Sequence, residues 1–196
     1  MKIIWKGTFD GNLENLPKRE HEEGAVMFKE PTDMTKFSII MNIFAMFLMF
    51  GMIFVSSMIA GEYVFDLVGC LLALVFMVPH EFLHAICFKE EAHIYSNLKQ
   101  GTMFVVGPET MTKARFIFMS LLPCIVLGIV PFTIFIINPS LVTLGTLGAI
   151  SIASCAGDFY NVFNAVTQMP KGAKTYLCGM NSFWYMPKEE KEEKAK

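Results

Sequence analysis

The amino-acid sequence predicts an all-α membrane protein with four transmembrane helices, and three observations lead to that fold class. First, 54% of the 196 residues are hydrophobic and only 17% are charged, which gives a mean hydropathy of +0.47. Soluble domains carry about 25% charged residues. Second, the apolar residues collect in four long stretches; third, Lys and Arg lie outside these stretches. This composition excludes a disordered chain, a nucleic-acid-binding protein and a disulfide-stapled secreted domain.

Each of the four apolar stretches is long enough to cross a bilayer, for which about 20 residues suffice. Phe37–Ala60 contains no charged residue in 24 positions. Val64–Phe88 follows, and then Phe116–Ile137, whose prolines are tolerated because neighbouring helices and water satisfy the freed carbonyls. Leu141–Val166 is the fourth stretch, and Asp158 is its one charged residue. A soluble helical bundle is the alternative interpretation, and four stretches of this length count strongly against it.

The distribution of basic residues predicts the orientation of the four spans. Six of the 16 Lys and Arg residues precede residue 37, four lie within 89–115 and six follow residue 170. The loops after the first and third spans contain none, so the positive-inside rule places both termini in the cytoplasm. We therefore expect a cytoplasmic arm at 1–36, a four-span membrane domain at 37–170 and a cytoplasmic tail at 171–196. Because the first apolar run is long enough to span, we expect no cleavable signal peptide.

The loop between the second and third spans carries a strand pattern. Short runs at Ala92–Ser96 and Thr102–Val106 flank the turn-forming stretch Asn97–Gly101, an arrangement typical of a β-hairpin. We expect a short β-hairpin within 92–108, on the cytoplasmic side. Its edge would be able to receive an extended peptide as an added strand; a simple connector is the alternative.

Two carboxylates, Glu81 and Asp158, lie deep within the predicted spans, where no Lys or Arg accompanies them. An ionisable group at that depth costs about 2.5–3.5 kcal/mol, so each requires a partner or a function. Glu81 belongs to the motif His80-Glu81-Phe82-Leu83-His84. Residues four apart on a helix share a face, so both imidazoles can bind one metal ion, and Glu81 beside them can act as a base to water. A buried polar cluster that only packs helices is the alternative.

A catalytic zinc ion normally takes three protein ligands and leaves one position open. The candidates for the third ligand are Asp158, His93, Glu90, Glu91 and the thiols. Depth favours Asp158. His80 lies 16 residues into the second span and Asp158 lies 17 residues into the fourth, so both are about 25 Å along helices that run in the same direction. Two carboxylates would also balance the charge of a divalent ion.

Three further residues lie within a turn of these candidates. Asn161 follows Asp158 by three positions and shares its face, so its amide could bind a ligand or the backbone of a substrate; a hydrogen bond between helices is the alternative. Cys87 follows His84 by three positions and Cys155 precedes Asp158 by three, which would let either thiol approach a metal. We expect most of the five cysteines to be small apolar fillers, because their number is odd and no Cys-x-x-Cys pair occurs.

The order of these features resembles that of intramembrane metalloproteases of the site-two protease type, and more closely that of a bacterial family of membrane proteins described as zincin peptidases. The resemblance rests on a polar arm, a span, His80-Glu81-Phe82-Leu83-His84, a short loop, a proline-containing span and Gly157-Asp158. It implies that His80, His84 and Asp158 bind zinc (Zn2+) and that Glu81 activates water. It also implies a multi-pass protein of a bacterial plasma membrane that acts on membrane-anchored polypeptides. The chain departs from the usual Asp-Gly pair, because Phe159 follows Asp158.

We accordingly expect a zinc-dependent metallopeptidase that is embedded in the lipid bilayer and hydrolyses peptide bonds of membrane-associated or transmembrane substrates. A small transporter or ion-coupled carrier is one alternative, because the same buried groups could form a binding site or proton relay; its flux would survive chelation. A non-catalytic metal-binding membrane protein is the other, and it would hold zinc with Glu81 dispensable. Haem ligation is disfavoured, because His80 and His84 lie one turn apart on one helix and cannot flank a porphyrin.

Overall fold

The computed structural model describes residues 1–31, 34–97 and 101–188, and in these ranges it contains seven α-helices and seven strands. The helices are α1 (Met34–Ala60), α2 (Leu67–Val75), α3 (Met77–Ala85), α4 (Lys113–Pro123), α5 (Val130–Ile137), α6 (Val142–Ser154) and α7 (Ala156–Gln168). The strands are β1 (Lys2–Thr8), β2 (Val26–Met27), β3 (Glu91–Asn97), β4 (Thr102–Val106), β5 (Met111–Thr112), β6 (Lys174–Cys178) and β7 (Asn181–Tyr185). A 3-10 turn covers Leu13–Asn15, and a π-helical segment, Cys124–Ile129, joins α4 to α5.

Within the described residues, three helical stretches are long and apolar enough to cross a membrane, namely Thr35–Ala60, Leu67–Ala85 and Lys113–Ile137. A fourth crossing results if α6 and α7 are counted together, although a bend of 48° separates them. These stretches coincide with the four predicted spans to within a few residues at each end. By length and composition the described helices are therefore compatible with a multi-pass membrane protein.

The prediction of an all-α protein is wrong, because the described residues also form two β-sheets. In one sheet β1 pairs parallel with β3, and β3 pairs antiparallel with β4. The β3–β4 pair is the hairpin predicted within 92–108; residues 98–100 of its turn lie outside the described residues. The other sheet is antiparallel, with the strand order β2-β7-β6-β5. Strands therefore occur in both terminal segments, for which only a cytoplasmic arm and a cytoplasmic tail were predicted.

The two terminal segments form strands because they contain residues with a high preference for strands. Ile3, Ile4 and Trp5 give β1 its β-branched and aromatic content. In the β6–β7 hairpin, Gly179 takes a φ of +63° in a two-residue turn, a conformation that glycine adopts without steric cost. Residues 189–196 of the predicted tail lie outside the described residues.

The chain divides into two compact units, and one of them contains both sheets. This unit, here called the sheet unit, comprises Met1–Glu30, Glu81–Met119 and Asn161–Lys196. Its core consists of nearly fully buried aromatic and small side chains, among them Phe28, Ala85, Phe88, Phe116 and Ala165. Each buried Phe contributes roughly 1.5–3 kcal/mol relative to an exposed one. The C-terminal end of α3 is thus held in a packed core by its own apolar residues.

The other unit, here called the helical unit, comprises Pro31–His80 and Ser120–Tyr160. Its core contains Ile53, Val64, Phe132, Phe135 and Ala149. The helices approach closely where α6 has glycines. A Cβ placed on Gly148 would lie 2.8 Å from the backbone nitrogen of Phe132, and one on Gly145 would lie 2.8 Å from the Phe135 ring. Small residues allow such close contact between apolar helices, whose association in lipid depends on van der Waals packing.

Asp66, at the beginning of the second span, is accounted for by a helix cap. Its carboxylate accepts hydrogen bonds from the Gly69 N–H and from the Thr143 hydroxyl, both at 2.8 Å. The Asp66 N–H in turn donates to the Thr146 hydroxyl at 3.0 Å. The side chain therefore satisfies an orphan donor of α2 and ties this helix to α6.

Two interruptions determine where the motif-bearing helices begin. Phe76 separates α2 from α3, three residues before Pro79. Proline has no N–H to offer to the Val75 carbonyl, so the helical hydrogen-bond ladder is broken there. Cys155 separates α6 from α7 and leaves Asp158 in the first turn of α7. Helices α3, α4 and α7 each have residues in both units. Within each of these helices, residues three or four positions apart share a face.

Replacing Gly148 with Ala should destabilise the protein, because the added methyl group meets the Phe132 backbone, which cannot move without displacing α5. Overpacking of this kind costs about 1–3 kcal/mol. The measurement is the thermal unfolding midpoint of the detergent-solubilised chain. Gly51→Ala in α1 is the matched control, because no atom lies within 4 Å of a Cβ at that position, and its midpoint should stay unchanged or rise slightly. Equal losses in both variants would contradict the close contact at Gly148.

Candidate metal centre

Helix α3 carries the three residues of the predicted catalytic motif within little more than one turn. His80 and His84 lie four positions apart and therefore share a face of α3. Glu81 and His84 are each 8% exposed. An ionisable pair so deeply buried in an apolar helix requires polar partners.

Asp158 on α7 supplies such a partner for His80. The Nε2 atom of His80 lies 3.3 Å from the Oδ2 atom of Asp158, and the two side chains are 14% and 12% exposed. His84 follows one turn later on α3, and one potential ligand atom from each of His80, His84 and Asp158 lies within 4.8 Å of the others. Two imidazoles and one carboxylate form a donor set that zinc prefers, and three ligands leave one position open. The residues present thus fit a zinc ion.

The orientation of the His84 ring is fixed by a main-chain contact. Its Nδ1 atom lies 2.9 Å from the carbonyl oxygen of Met119 on α4. A carbonyl oxygen can only accept a hydrogen bond, so Nδ1 carries a proton, and in the neutral imidazole Nε2 is then the nitrogen with the lone pair. Histidines that bind metals commonly donate their other ring N–H in this way, which fixes both tautomer and ring orientation.

One turn earlier on α4, Arg115 holds the chain that leaves α3. Its Nε and Nη2 atoms donate to the Cys87 carbonyl at 2.9 and 2.5 Å, and its Nη1 atom lies 2.5 Å from Oε1 of Glu109. The other carboxylate oxygen of Glu109 accepts from the Lys89 and Glu90 N–H groups at 2.6 and 2.9 Å. This network of hydrogen bonds fixes the C-terminal end of α3 against α4.

The ionisation of Glu109 follows from these contacts. Burial by itself would raise the pKa of the Glu109 carboxyl. The hydrogen bonds from the Glu90 N–H, the Arg115 guanidinium and the Lys89 N–H outweigh burial and hold the pKa below its usual value. The carboxylate is therefore charged at neutral pH, and Arg115 has a permanent counter-ion.

The other candidates for the third ligand lie elsewhere. His93 is a buried residue of β3, and its Nε2 atom bonds to the Glu91 carboxylate. This contact lowers the pKa of Glu91. Glu90 is exposed. In the part of the chain that the structure describes, His93, Glu90 and Glu91 therefore do not belong to the group of potential ligands around His80.

Each of the two thiols considered as ligands bonds to the carbonyl four residues before it. The Cys87 thiol donates to the Leu83 carbonyl at 3.5 Å, and the Cys155 thiol donates to the Ser151 carbonyl at 3.1 Å. Asn161 lies one turn after Asp158 on α7 and is half-buried. It remains the predicted contact for a substrate backbone.

Sequence reasoning did not identify Met119, Arg115 or Glu109 as contributors to the candidate site. Met119 acts through its main-chain carbonyl, for which the residue type gives no signal. Arg115 and Glu109 lie just before the predicted third span, where basic residues are usually interpreted only as a sign of how the span is oriented in the membrane. A buried ion pair at that boundary becomes recognisable only when both partners are seen together.

Comparison with known protein families agrees with this geometry. The family described as "Putative zincin peptidase" matches residues 73–174, which is more than half of the chain. The chain belongs to this family. The matched region includes α3, the β3–β4 hairpin, α4 and Asp158, so every residue of the His/Asp group falls inside it. Membership of the zincin peptidase family points to a metallopeptidase that uses zinc. The comparisons with curated proteins and with solved structures gave no match.

Replacing Glu109 with Gln should destabilise the protein at neutral pH, because it leaves the Arg115 charge without its counter-ion. Breaking a buried pair costs about 3–5 kcal/mol, and we expect somewhat less here because Arg115 is partly exposed. The folded-state pKa of Glu109 is depressed, so its stabilisation is present above the unfolded pKa of about 4.3 and is lost as pH falls through the folded pKa. Unfolding midpoints from pH 7 to 3 should therefore converge for wild type and variant.

The control for this experiment is Glu90→Gln, because the Glu90 side chain is exposed and only its N–H bonds to Glu109. Its unfolding midpoint should follow that of the wild type throughout the pH range. A difference between wild type and Glu109→Gln that stays constant with pH would contradict the ionised pair.

Proposed function

We propose that this chain is a membrane-embedded zinc metallopeptidase of the His-Glu-x-x-His type, which hydrolyses peptide bonds of membrane-associated or transmembrane polypeptides. The observation that carries the proposal is the contact between His80 and Asp158, with His84 one turn away from His80 on α3. The chain belongs to the zincin peptidase family, which supports the same chemistry. The long apolar helices support an intramembrane location. The distribution of Lys and Arg supports cytoplasmic termini.

In this proposal His80, His84 and Asp158 hold the ion. When bound, zinc supplies a Lewis acid that polarises the scissile carbonyl and eases the deprotonation of water. Glu81 directly follows His80 and is buried. Its carboxylate takes the proton from the attacking water. Glu81 is therefore the catalytic residue, and the two imidazoles and Asp158 are ligands.

The substrate in this proposal is a polypeptide anchored in the lipid bilayer. Strand β4 lies at an edge of its three-stranded sheet, and an edge strand can pair with an extended segment of another chain. Asn161 offers an amide one turn from Asp158, which suits a hydrogen bond to a peptide backbone. Both features would present an unwound segment in extended form, the conformation that peptidases require for attack at a carbonyl.

The test is a cleavage assay with the full chain in proteoliposomes and a reporter polypeptide anchored by one transmembrane helix. Glu81→Gln should slow cleavage by at least about 100-fold, because general-base catalysis contributes 10²–10⁴. Bound zinc, measured by elemental analysis, should stay at the wild-type level. Glu90→Gln is the matched control and should retain cleavage. Full activity of Glu81→Gln would end the proposal, and zinc binding without cleavage by the wild type would indicate a non-catalytic metal-binding protein.

Asp158→Ala and Asn161→Ala separate the role of a ligand from that of a substrate contact. Removal of a ligand should weaken zinc binding by more than the 10–100-fold that the loss of a ligand's supporting hydrogen bond causes. Asn161→Ala should leave zinc affinity unchanged and raise KM for the reporter. The measurements are zinc competition with a chromophoric chelator and steady-state cleavage. Unchanged zinc affinity in Asp158→Ala would remove Asp158 from the ligand set.

A further inference from the structure

The Met119 carbonyl occupies an unusual position in α4. In an α-helix the carbonyl of residue i accepts a hydrogen bond from the N–H of residue i+4. For Met119 that residue is Pro123, which ends α4 and lies inside the helical stretch. Proline has no N–H, so the regular donor for this carbonyl does not exist.

His84 supplies a donor to the same carbonyl. Its Nδ1 atom lies 2.9 Å from the Met119 oxygen, and both residues are buried, at 8% and 7% exposure. Pro123 is fully buried as well. A buried carbonyl and a buried imidazole N–H are each destabilising when left without a partner. The contact therefore satisfies two groups that the apolar surroundings would otherwise leave unpaired.

The alignment of this contact is set by the neighbouring turn of α4. Arg115 precedes Met119 by four residues and therefore shares its face. Its guanidinium donates to the carbonyl of Cys87, three residues after His84. Two successive turns of α4 thus contact two successive turns of the chain around His84. This register brings the Met119 carbonyl, and not that of a neighbouring residue, opposite the imidazole.

From this arrangement we propose that Pro123 is a positioning residue of the metal centre. By withholding an N–H from the Met119 carbonyl, it reserves that carbonyl for His84 Nδ1 and so directs the His84 Nε2 lone pair to the ion. The inference deepens the proposed function, because it concerns a ligand of the same site. Any other residue at position 123 would restore an N–H directed along the helix, which would draw the Met119 carbonyl towards the helix axis and weaken its alignment with the imidazole.

Pro131, in the same span, gives a matched control. It lies in the first turn of α5, directly after Val130, whose N–H bonds to the Ile125 carbonyl in the π-helical register. The carbonyl that Pro131 leaves without a backbone donor therefore belongs to the π-helical segment, and not to Met119. A proline that serves only to bend the span would show similar effects at either position. If the role of the proline is to leave the Met119 carbonyl without a backbone donor, only the substitution of Pro123 should change the hydrogen bond of His84.

The experiment uses the full chain in detergent, labelled with ¹⁵N-histidine, free of metal and at pH 8, where an ordinary imidazole is neutral. The His84 signals are assigned by their loss in His84→Gln. The wild type should show His84 protonated at Nδ1 and unprotonated at Nε2. Pro123→Ala should lose the protected Nδ1–H signal and show a mixture of tautomers, whereas Pro131→Ala should match the wild type. Zinc competition should give a dissociation constant 10–100-fold higher for Pro123→Ala alone.

Two outcomes would overturn the proposal. One is a wild-type His84 that carries its proton on Nε2, which decides the question even if Pro123→Ala does not fold. The other is a folded Pro123→Ala with an unchanged His84 Nδ1–H signal and a zinc dissociation constant within twofold of wild type. The metal-free spectra do not depend on peptidase activity. Absence of cleavage would contradict the proposed peptidase function and leave the His84 spectra unchanged, whereas an unchanged His84 signal in Pro123→Ala would contradict only the positioning role.

Discussion

A buried imidazole in an apolar helix needs hydrogen-bonding or metal partners at both ring nitrogens, and the candidate site is arranged around this requirement at His84. The Met119 carbonyl accepts from Nδ1, which leaves Nε2 for a ligand role. That contact depends on the register between α3 and α4, which the Arg115 bond to the Cys87 carbonyl and the Glu109 ion pair maintain. An unpaired polar group at such a depth would cost on the order of 1–3 kcal/mol.

The same requirement explains the other polar residues within the apolar helices. Asp66 caps α2 and bonds to the Thr143 hydroxyl, so its role is structural. Asp158 instead faces His80, a partner that can itself bind a metal. Both carboxylates lie at the beginning of a helix, Asp66 as the N-cap of α2 and Asp158 in the first turn of α7. They differ in depth, because Asp66 begins the second span and Asp158 lies 17 residues into the fourth, and they differ in the chemistry of their partners.

The predictions that succeeded concern properties of short segments. Four apolar stretches are visible in the sequence because spanning length is a count of consecutive residues, and the β3–β4 hairpin is a contact between neighbours in the chain. The missed strands pair over long distances: β1 binds β3, and β2 binds β7. The basic residues of the terminal segments were used only to predict the orientation of the spans, although Ile3-Ile4-Trp5 and Phe183-Trp184-Tyr185 are good strand sequences.

The spacing of the motif was enough to predict that His80 and His84 share a face with Glu81 beside them, because helical periodicity is a local property. It ranked Asp158 above His93, Glu90 and Glu91 by depth alone, and only the tertiary structure brought Asp158 to His80 and paired His93 with Glu91. The partner of His84 Nδ1 was beyond sequence reasoning, since every residue carries a carbonyl. Which carbonyl is free and opposite the ring depends on where Pro123 falls relative to the packing of α4 on α3.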